Sequence, residues 1–443
     1  MPPLPPPSLS RLDALPDLAS DVHIADAVAA YLSEPPGSRH AIAKSLARLT
    51  GGAGSLLQRV IGASPDALQL LHDLRAQCAT RGAHDVECRD LDAAAARALR
   101  LVYGPALTRT QQLGLGKHEP AHILALVSAA RTSETVHTYS EHSARVKFGE
   151  RRMVHAMSHV AAPGELLAVL YSAFLRGIPA SMAEINAASG GDSVGDVGKW
   201  ELESGLIVES RTNPLTTVAF YSVGSPHSAT RGLRLGTRII YDVAGDVARR
   251  APTITTYCTL SPIPGFLAWV RLMCTTEATE SNSPLLQALT TQDIMDIAAA
   301  HAIAHDDVST GLPKAPIPVS ASLAALLRNT AWFEHVATRD LLRRPLSHLA
   351  QFYLTRVHMP GSRGAPACAV ARFHLGNGAS MARLCWGADT SAAGLGRSAS
   401  LMVNYVYSTE GGEGLSRTMR ERAAAYAESP ASVLAAQLPD HVG

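Results

Sequence analysis

Chemical possibility concentrates first in the segment Ser225 to Thr237, SPHSATRGLRLGT. It lies between a run that reads as a strand, Thr217 to Val223, and one that reads as a helix, Thr237 to Arg250. A glycine-bearing turn that feeds a helix N-terminus offers unpaired backbone N–H groups and the positive end of the helix dipole to an anion. Gly232 and Gly236 let the backbone approach closely, while Arg231 and Arg234 add charge that a pyrophosphate could use. An ordinary surface turn has the same spacing, so the loop alone does not name its ligand.

Ser261 opens the run SPIPGF directly after the next strand, Thr253 to Thr259. Ligands of open α/β sheets collect at the C-terminal ends of strands. Pro262 and Pro264 make the serine rigid, which suits a turn cap or a site. His374 is read as the end of a strand, Ala369 to His374, joined through Asn377-Gly378 to a partner strand, Ser380 to Trp386. Asn-Gly is a hairpin signal because both residues tolerate positive φ. Asn404 and Tyr407 fall in a last strand, Ser400 to Tyr407, in which Leu401, Val403, Tyr405 and Tyr407 share one face. Taken alone, His374, Asn404 and Tyr407 are packed or cross-strand residues.

Two further patterns carry less. Gly191-Asp192-Ser193-Val194-Gly195 matches G-x-S-x-G, but that elbow works only as a strand-to-helix turn. Here it follows Ala183 to Ser189, which reads as helix, so a loop is expected. His301 and His305 stand four apart on a helical stretch without the glutamate of H-E-x-x-H. No metal site is expected from the spacing.

The elements that must position these residues follow from length and composition. A chain of 443 residues predicts two or three domains. With 39 basic and 38 acidic residues the net charge is +1, and 47% of the chain is hydrophobic. That composition supports a sizeable core and argues against both disorder and a nucleic-acid partner. Six cysteines without a C-x-x-C pair argue against a disulfide scaffold or a zinc ribbon. No apolar run reaches the roughly 18 residues of a membrane span. The opening prolines, with Asp13, Asp17 and Asp21 close behind, read as an extended leader and count against a transit peptide. Asp440-His441-Val442-Gly443 is not a peroxisomal signal. The expected compartment is the cytoplasm, with the mitochondrial matrix as the alternative.

From Ile24 to about residue 130 apolar residues recur at helical spacing, and this half is expected to be all-helical. One helix begins at Ser64-Pro65, with Leu68, Leu71, Leu74 and Cys78 on one stripe. A linker or domain edge is expected between Thr132 and Arg152. Leu166 to Phe174 then reads as a buried strand, and Thr217 to Thr259 as a β-loop-α-β unit whose helix turns Ile239, Ile240, Val243 and Val247 inward. The second half is therefore α/β or α+β, without repeats.

Five blocks tie these features together: F-Y-S at Phe220 to Ser222, the Gly232-Leu-Arg-Leu-Gly236 loop, L-S-P-I-P-G-F at Leu260 to Phe266, F-H-L-x-N-G-A at Phe373 to Ala379, and L-M-V-N-Y-x-Y at Leu401 to Tyr407. In this order they resemble the malonyl-CoA decarboxylase family. An H-x-x-x-P-G-E block at His159 to Glu165 extends the likeness to about residues 130 to 407.

The resemblance implies an α+β chain, with a helical oligomerisation domain over residues 1–125 and an acetyltransferase-like (GNAT) catalytic domain over 126–443. It implies that Ser222 and the loop residues Arg231, Gly232, Leu233, Arg234, Leu235, Gly236 and Thr237 hold CoA. It also implies Ser261 and His374 as an acid–base pair, supported by Tyr407 and Asn404, with malonyl-CoA as substrate, no membrane partner and a homo-oligomeric assembly. Animal members carry a glutamate in the loop where this chain has Arg234, so a role for that carboxylate does not carry over.

Loss of carbon dioxide from a malonyl thioester leaves charge that the adjacent carbonyl takes up as an enolate, so neither a metal nor an organic cofactor is expected. Each donor aimed at that oxyanion supplies about 3–4 kcal/mol, and desolvating the carboxylate helps further. His374, with an imidazole pKa of about 6.5, is expected to be protonated at working pH and to donate to the α-carbon. Ser261 would hold the carboxylate or relay the proton, and Tyr407 would hold the thioester region. An acyl-CoA N-acyltransferase on the same fold and a non-catalytic CoA-binding protein are the competing readings. Release of carbon dioxide without an amine acceptor separates them.

Overall fold

The computed structural model describes residues 21–39, 42–43, 57, 60–64, 66–79, 86–113, 151–188, 214–276, 283–304, 317–408 and 415–435. The architecture is mixed α+β. Among the described residues the longest helices of the first hundred are α1 (Asp21–Ser33), α2 (Ala67–Ala79) and α3 (Val86–Val102). The strands are β1 (Thr108–Leu113), β2 (Arg152–His159), β3 (Ala162–Leu175), β4 (Thr217–Gly224), β5 (Thr256–Thr259), β6 (Ser261–Pro262), β7 (Ser380–Cys385) and β8 (Met402–Ser408). They form an eight-stranded sheet of order β1-β2-β3-β4-β5-β8-β6, with β7 also paired to β8. The helices that bear on the site are α4 (Leu235–Arg250), α5 (Ala369–Gly376) and α6 (Leu415–Glu428).

The one parallel pairing among the described residues, β4 with β5, spans the α4 crossover expected of the β-loop-α-β unit. Its register runs only from Thr217↔Thr256 to Phe220↔Thr259. Beyond Phe220, β4 continues against β3 alone, while Ser261 turns away to pair with Val403 of β8. The sheet therefore opens between the end of β4 and β6. Ile239, Ile240, Val243 and Val247 of α4 are buried against one face, as their spacing predicts.

Two expectations are corrected. The first half is not helical to residue 125, because helix gives way after Val102 and Thr108–Leu113 adds to the sheet against β2. In TRTQQL only Thr108 and Leu113 are buried, so this edge strand carries almost no apolar signal. His374 does not end a strand. Ala369–Gly376 is a helix whose buried residues Ala371, His374 and Leu375 fall at i, i+3 and i+4. Asn377-Gly378 stops this helix instead of turning a hairpin. The Gly378 N–H bonds to Leu375 O and the Ala379 N–H to His374 O, with Gly378 at φ +82°. A β-carbon at Gly378 would also collide with the Met419 carbonyl of α6.

The helical half packs onto the second half and shares its core. In α2 the stripe Leu71, Leu74 and Cys78 is buried with Leu70, while Leu68 is half-buried. Arg75 is unexpectedly buried as well. Its guanidinium bonds to Asp92 of α3 and to the Ala229 carbonyl in the loop after β4, which satisfies a charge that would be costly to bury unpaired. The Asp–Arg contact thus fixes the helices and the loop together.

The expected linker between Thr132 and Arg152 lies almost wholly outside the described residues, as do Ser193 with its G-x-S-x-G pattern and His305. The six cysteines are buried and free of disulfides. Among the described residues no helix is long and apolar enough to cross a membrane.

Candidate active site

The opening between β4 and β6 is a cleft of about 650 Å³. It is lined by Tyr221 to Ser225 of β4 and its exit, by the loop to Thr237, by Ser261 and Pro262, and by α5. Loop, serine and histidine, 24 to 149 residues apart in the chain, reach one cavity because α4 and α5 bring their ends to the same edge of the sheet.

The loop is held from within. Ser225 Oγ lies 2.6 Å from Thr230 Oγ1 and donates to Leu167 O at 2.7 Å. Gly232 has φ +74° and Arg234 φ +61°, so the chain enters α4 through two left-handed residues. Arg234 is the N-cap and gives no side-chain cap. The N–H groups of Leu235, Gly236 and Thr237 in the first turn have no intrahelical acceptor, as in any helix, and these residues line the cleft. Arg231, Arg234 and Arg372 line it too. Arg372 was not singled out in the sequence, where it sits in an apparent strand.

Not every loop residue faces the cleft. Leu233 is buried in the core, anchoring the turn. Gly236 lets α4 approach α5, since a β-carbon there would stand 3.4 Å from the Phe373 ring. Thr237 Oγ1 donates to Asn377 Oδ1 at 2.7 Å, and Tyr241 OH donates to Asn377 O at 3.2 Å. The start of α4 is thereby tied to the end of α5, where His374 stands.

Ser261 Oγ is 3.0 Å from His374 Nε2 and donates to Thr259 Oγ1 at 3.0 Å. His374 Nδ1 is 2.9 Å from Tyr407 OH. Tyr405 stacks on the imidazole at 4.5 Å between centroids and 27° between planes, with Phe373 edge-on at 5.0 Å. Tyr405 and Thr259 belong to this arrangement although only their strand positions were read from sequence. The Tyr405 hydroxyl and Ser222 Oγ are buried without a hydrogen-bond partner, and Ser222 lines the cleft.

Burial pushes His374 down to about 3, because a charged ring loses its hydration there. The free imidazole is therefore neutral at working pH, contrary to the expectation of a cation. Burial likewise pushes the Tyr407 hydroxyl well above its ordinary value, so it stays protonated. Tyr407 is fully buried behind the imidazole and is not among the residues that line the cleft.

Asn404 is not brought to the cleft. It alternates onto the opposite face of β8 from Tyr405 and Tyr407. Its Nδ2 donates to Pro179 O and Thr259 O at 3.0 Å each, while its Oδ1 accepts from Arg383 Nε at 3.0 Å and Cys385 Sγ at 3.1 Å. That side chain is fully used in holding β8 to its surroundings.

An α+β sheet that opens beside a parallel pair thus brings a helix N-terminus and a buried serine–histidine couple to one cleft. The family model of the malonyl-CoA decarboxylase C-terminal domain matches residues 115–434, and the chain belongs to that family. It is 30% identical over 292 residues to the mitochondrial malonyl-CoA decarboxylase of Anser anser anser, covering 66% of this chain and 51% of that protein. Identity to the Mus musculus mitochondrial enzyme is 30% over 293 residues, 66% of this chain and 52% of that one. The chain thus spans about half the length of the curated relatives it matches. A crystal structure of malonyl-CoA decarboxylase from Agrobacterium vitis superposes with a TM-score of 0.68 at 21% identity, covering 94% of this chain and 95% of that chain. The Rhodopseudomonas palustris structure gives 0.66 at 21% identity, covering 97% and 92%. These two likenesses establish the mixed α+β fold.

Proposed function

We propose that this chain decarboxylates malonyl-CoA to acetyl-CoA and carbon dioxide. The observation that carries the reading is the meeting of the α4 N-terminus and the Ser261–His374–Tyr407 hydrogen-bond chain in one cleft of a member of this family. The β4–β5 pair that runs parallel and then parts, with a loop-to-helix turn on its edge, supports an acetyltransferase-like catalytic domain. In that reading the first-turn amides of α4, with Arg231, Arg234 and Arg372, hold the CoA phosphates, and the arm of the ligand enters between Ser222 and Ser261.

The malonyl carboxylate lies beside Ser261, whose hydroxyl turns from Thr259 to donate to it. A negative charge next to a buried neutral imidazole favours its protonation, so substrate and one proton bind together. His374 then donates through Nε2 to Ser261 and through Nδ1 to the Tyr407 oxygen. Carbon dioxide departs, the bonding pair moves into the thioester as an enolate, and Nε2–H returns a proton to the α-carbon directly or through Ser261. The imidazole is neutral again and the proton count closes.

The helices within residues 1–125 serve assembly in this proposal, and homo-oligomerisation is supported by exposed Leu101, Leu107 and Val160 around their junction with the sheet. The names of the curated relatives make the mitochondrial matrix, alongside the cytoplasm, a compartment in which to look. The deciding experiment supplies purified protein with malonyl-CoA alone. Carbon dioxide release without an amine is expected; dependence on an acceptor would establish the acyltransferase reading, and CoA binding without turnover the non-catalytic one.

A further inference from the structure

A second polar cluster lies where the helical half meets the sheet, and nothing in the proposed reaction uses it. His72 comes from α2, Glu165 from β3 and His227 from the loop after β4. Each contributes one ligand-type atom to a common space in which these atoms all lie within 4.8 Å of one another. His227 Nε2 is buried and has no hydrogen-bond partner. Its distance to Glu165 Oε1 is 3.8 Å, too long for an N–H···O bond. The His72 and His227 rings are 5.5 Å apart between centroids. A second imidazole beside the first is a poor neighbour if both rings are charged.

A hydrogen bond with Tyr103 OH accounts for His72, but an ion pair between His227 and Glu165 at 3.8 Å leaves the buried His227 Nε2 without a hydrogen-bond partner. A cation accounts for all three. Two imidazoles and a carboxylate are the ligand types of zinc sites that keep a fourth position open. With metal–ligand bonds of roughly 2.0–2.1 Å, tetrahedral ligand atoms stand about 3.3 Å apart, which small side-chain rotations reach from the separations seen. The surroundings are those of a supported site. Tyr103 OH is 2.8 Å from His72 Nε2, where it can yield to an ion, and the backbone N–H of His227 donates to Ser225 Oγ at 3.3 Å, which fixes the chain that carries the ring. Side-chain exposures of 27% for His227 and 45% for Glu165 leave a path from solvent.

We propose that His72, Glu165 and His227 form a binding site for a divalent transition-metal ion of the zinc type, which fastens the helical half to the loop leading into α4. The three ligands lie 62 to 155 residues apart, so no sequence spacing reveals them. The ion is structural: Ser261 and His374 are not among its ligands.

The test uses full-length protein without a histidine tag, stripped with chelator and dialysed. Zn²⁺ is titrated calorimetrically, and Co²⁺ is followed by the visible absorption of a low-coordinate site. One equivalent should bind, and Zn²⁺ should raise the melting temperature by mass action. His227→Ala and Glu165→Gln should each weaken binding at least about tenfold, while His358→Ala, an exposed histidine elsewhere, should leave it unchanged. Glu165→Gln keeps the shape of a half-exposed side chain, so it reports on binding even if His227→Ala unfolds. Absence of binding by the folded wild type, or equal binding by folded Glu165→Gln, overturns the proposal. Neither readout depends on decarboxylation, so the two readings fail separately.

Discussion

The Tyr407 hydroxyl lies 2.9 Å from His374 Nδ1, while Nε2 of the same ring faces Ser261 at 3.0 Å. A neutral imidazole has one donor and one acceptor. Ser261 Oγ gives its own proton to Thr259 Oγ1, so Nε2–H points at the serine oxygen and Nδ1 accepts from the Tyr407 hydroxyl.

Tyr407→Phe removes that partner and keeps the ring in its buried slot. We expect kcat to fall about 10- to 100-fold, by analogy with loss of a partner that orients a reactive imidazole, with KM nearly unchanged. Steady-state kinetics with malonyl-CoA checks this. An equal loss in kcat and in CoA affinity would show a general disturbance of the cleft instead of a tyrosine that positions His374.

His374→Gln should lower kcat about 10²- to 10⁴-fold, the range of a general acid, with CoA affinity intact. Because the free imidazole titrates at about 3, the acid limb of kcat/KM should not fall near pH 6.5. Calorimetry in buffers of different ionisation enthalpy should show proton uptake when a non-reactive malonyl-CoA analogue binds wild type, and none with His374→Gln. A limb near 6.5 without proton uptake would mean that the ring is already charged in the free protein.

Asn404→Ala tests a residue whose place in the L-M-V-N-Y-x-Y block suggests a site and whose contacts are structural. It removes the amide's bonds to the carbonyls of Thr259 and Pro179 and takes the acceptor from Arg383 Nε, while Arg383 Nη2 still donates to Ile178 O and Pro179 O. We expect a loss of about 1–3 kcal/mol of stability, measured by urea unfolding, with kcat per folded molecule unchanged. A large fall in kcat at full stability would return Asn404 to the mechanism.

The alternation that separates Asn404 from Tyr407 is legible in Ser400 to Tyr407 itself, since adjacent strand residues face opposite ways. The anion loop and α4 are legible for a similar reason, as glycines, arginines and a helical apolar stripe follow in order. The helix under His374 is hidden because Asn-Gly serves a helix stop as well as a hairpin, and only the approach of Met419 distinguishes the two. Strand β1 is hidden because TRTQQL gains its place from pairing with β2, not from apolar residues of its own. Ser261 and His374 are visible as residue types, but their 3.0 Å contact depends on how β6 leaves β5 and where α5 ends.

Acid should destabilise the fold through histidines buried neutral. Burial pushes His374 down to about 3 and is the largest influence pushing His155 down to about 4. His155 Nδ1 is also buried without a partner. In the unfolded chain both rings take up protons near about pH 6.5, so between there and pH 3–4 the unfolded state binds more protons than the folded one. Stability from these two groups is therefore fully present above about pH 6.5 and falls as pH drops, by about 1.4 kcal/mol per pH unit for each ring. Urea unfolding at a series of pH values from 7 to 4.5 should show that decline, and His155→Phe should flatten it by one ring's share. A slope unaltered in folded His155→Phe would mean that His155 is not buried neutral and that other groups carry the acid sensitivity.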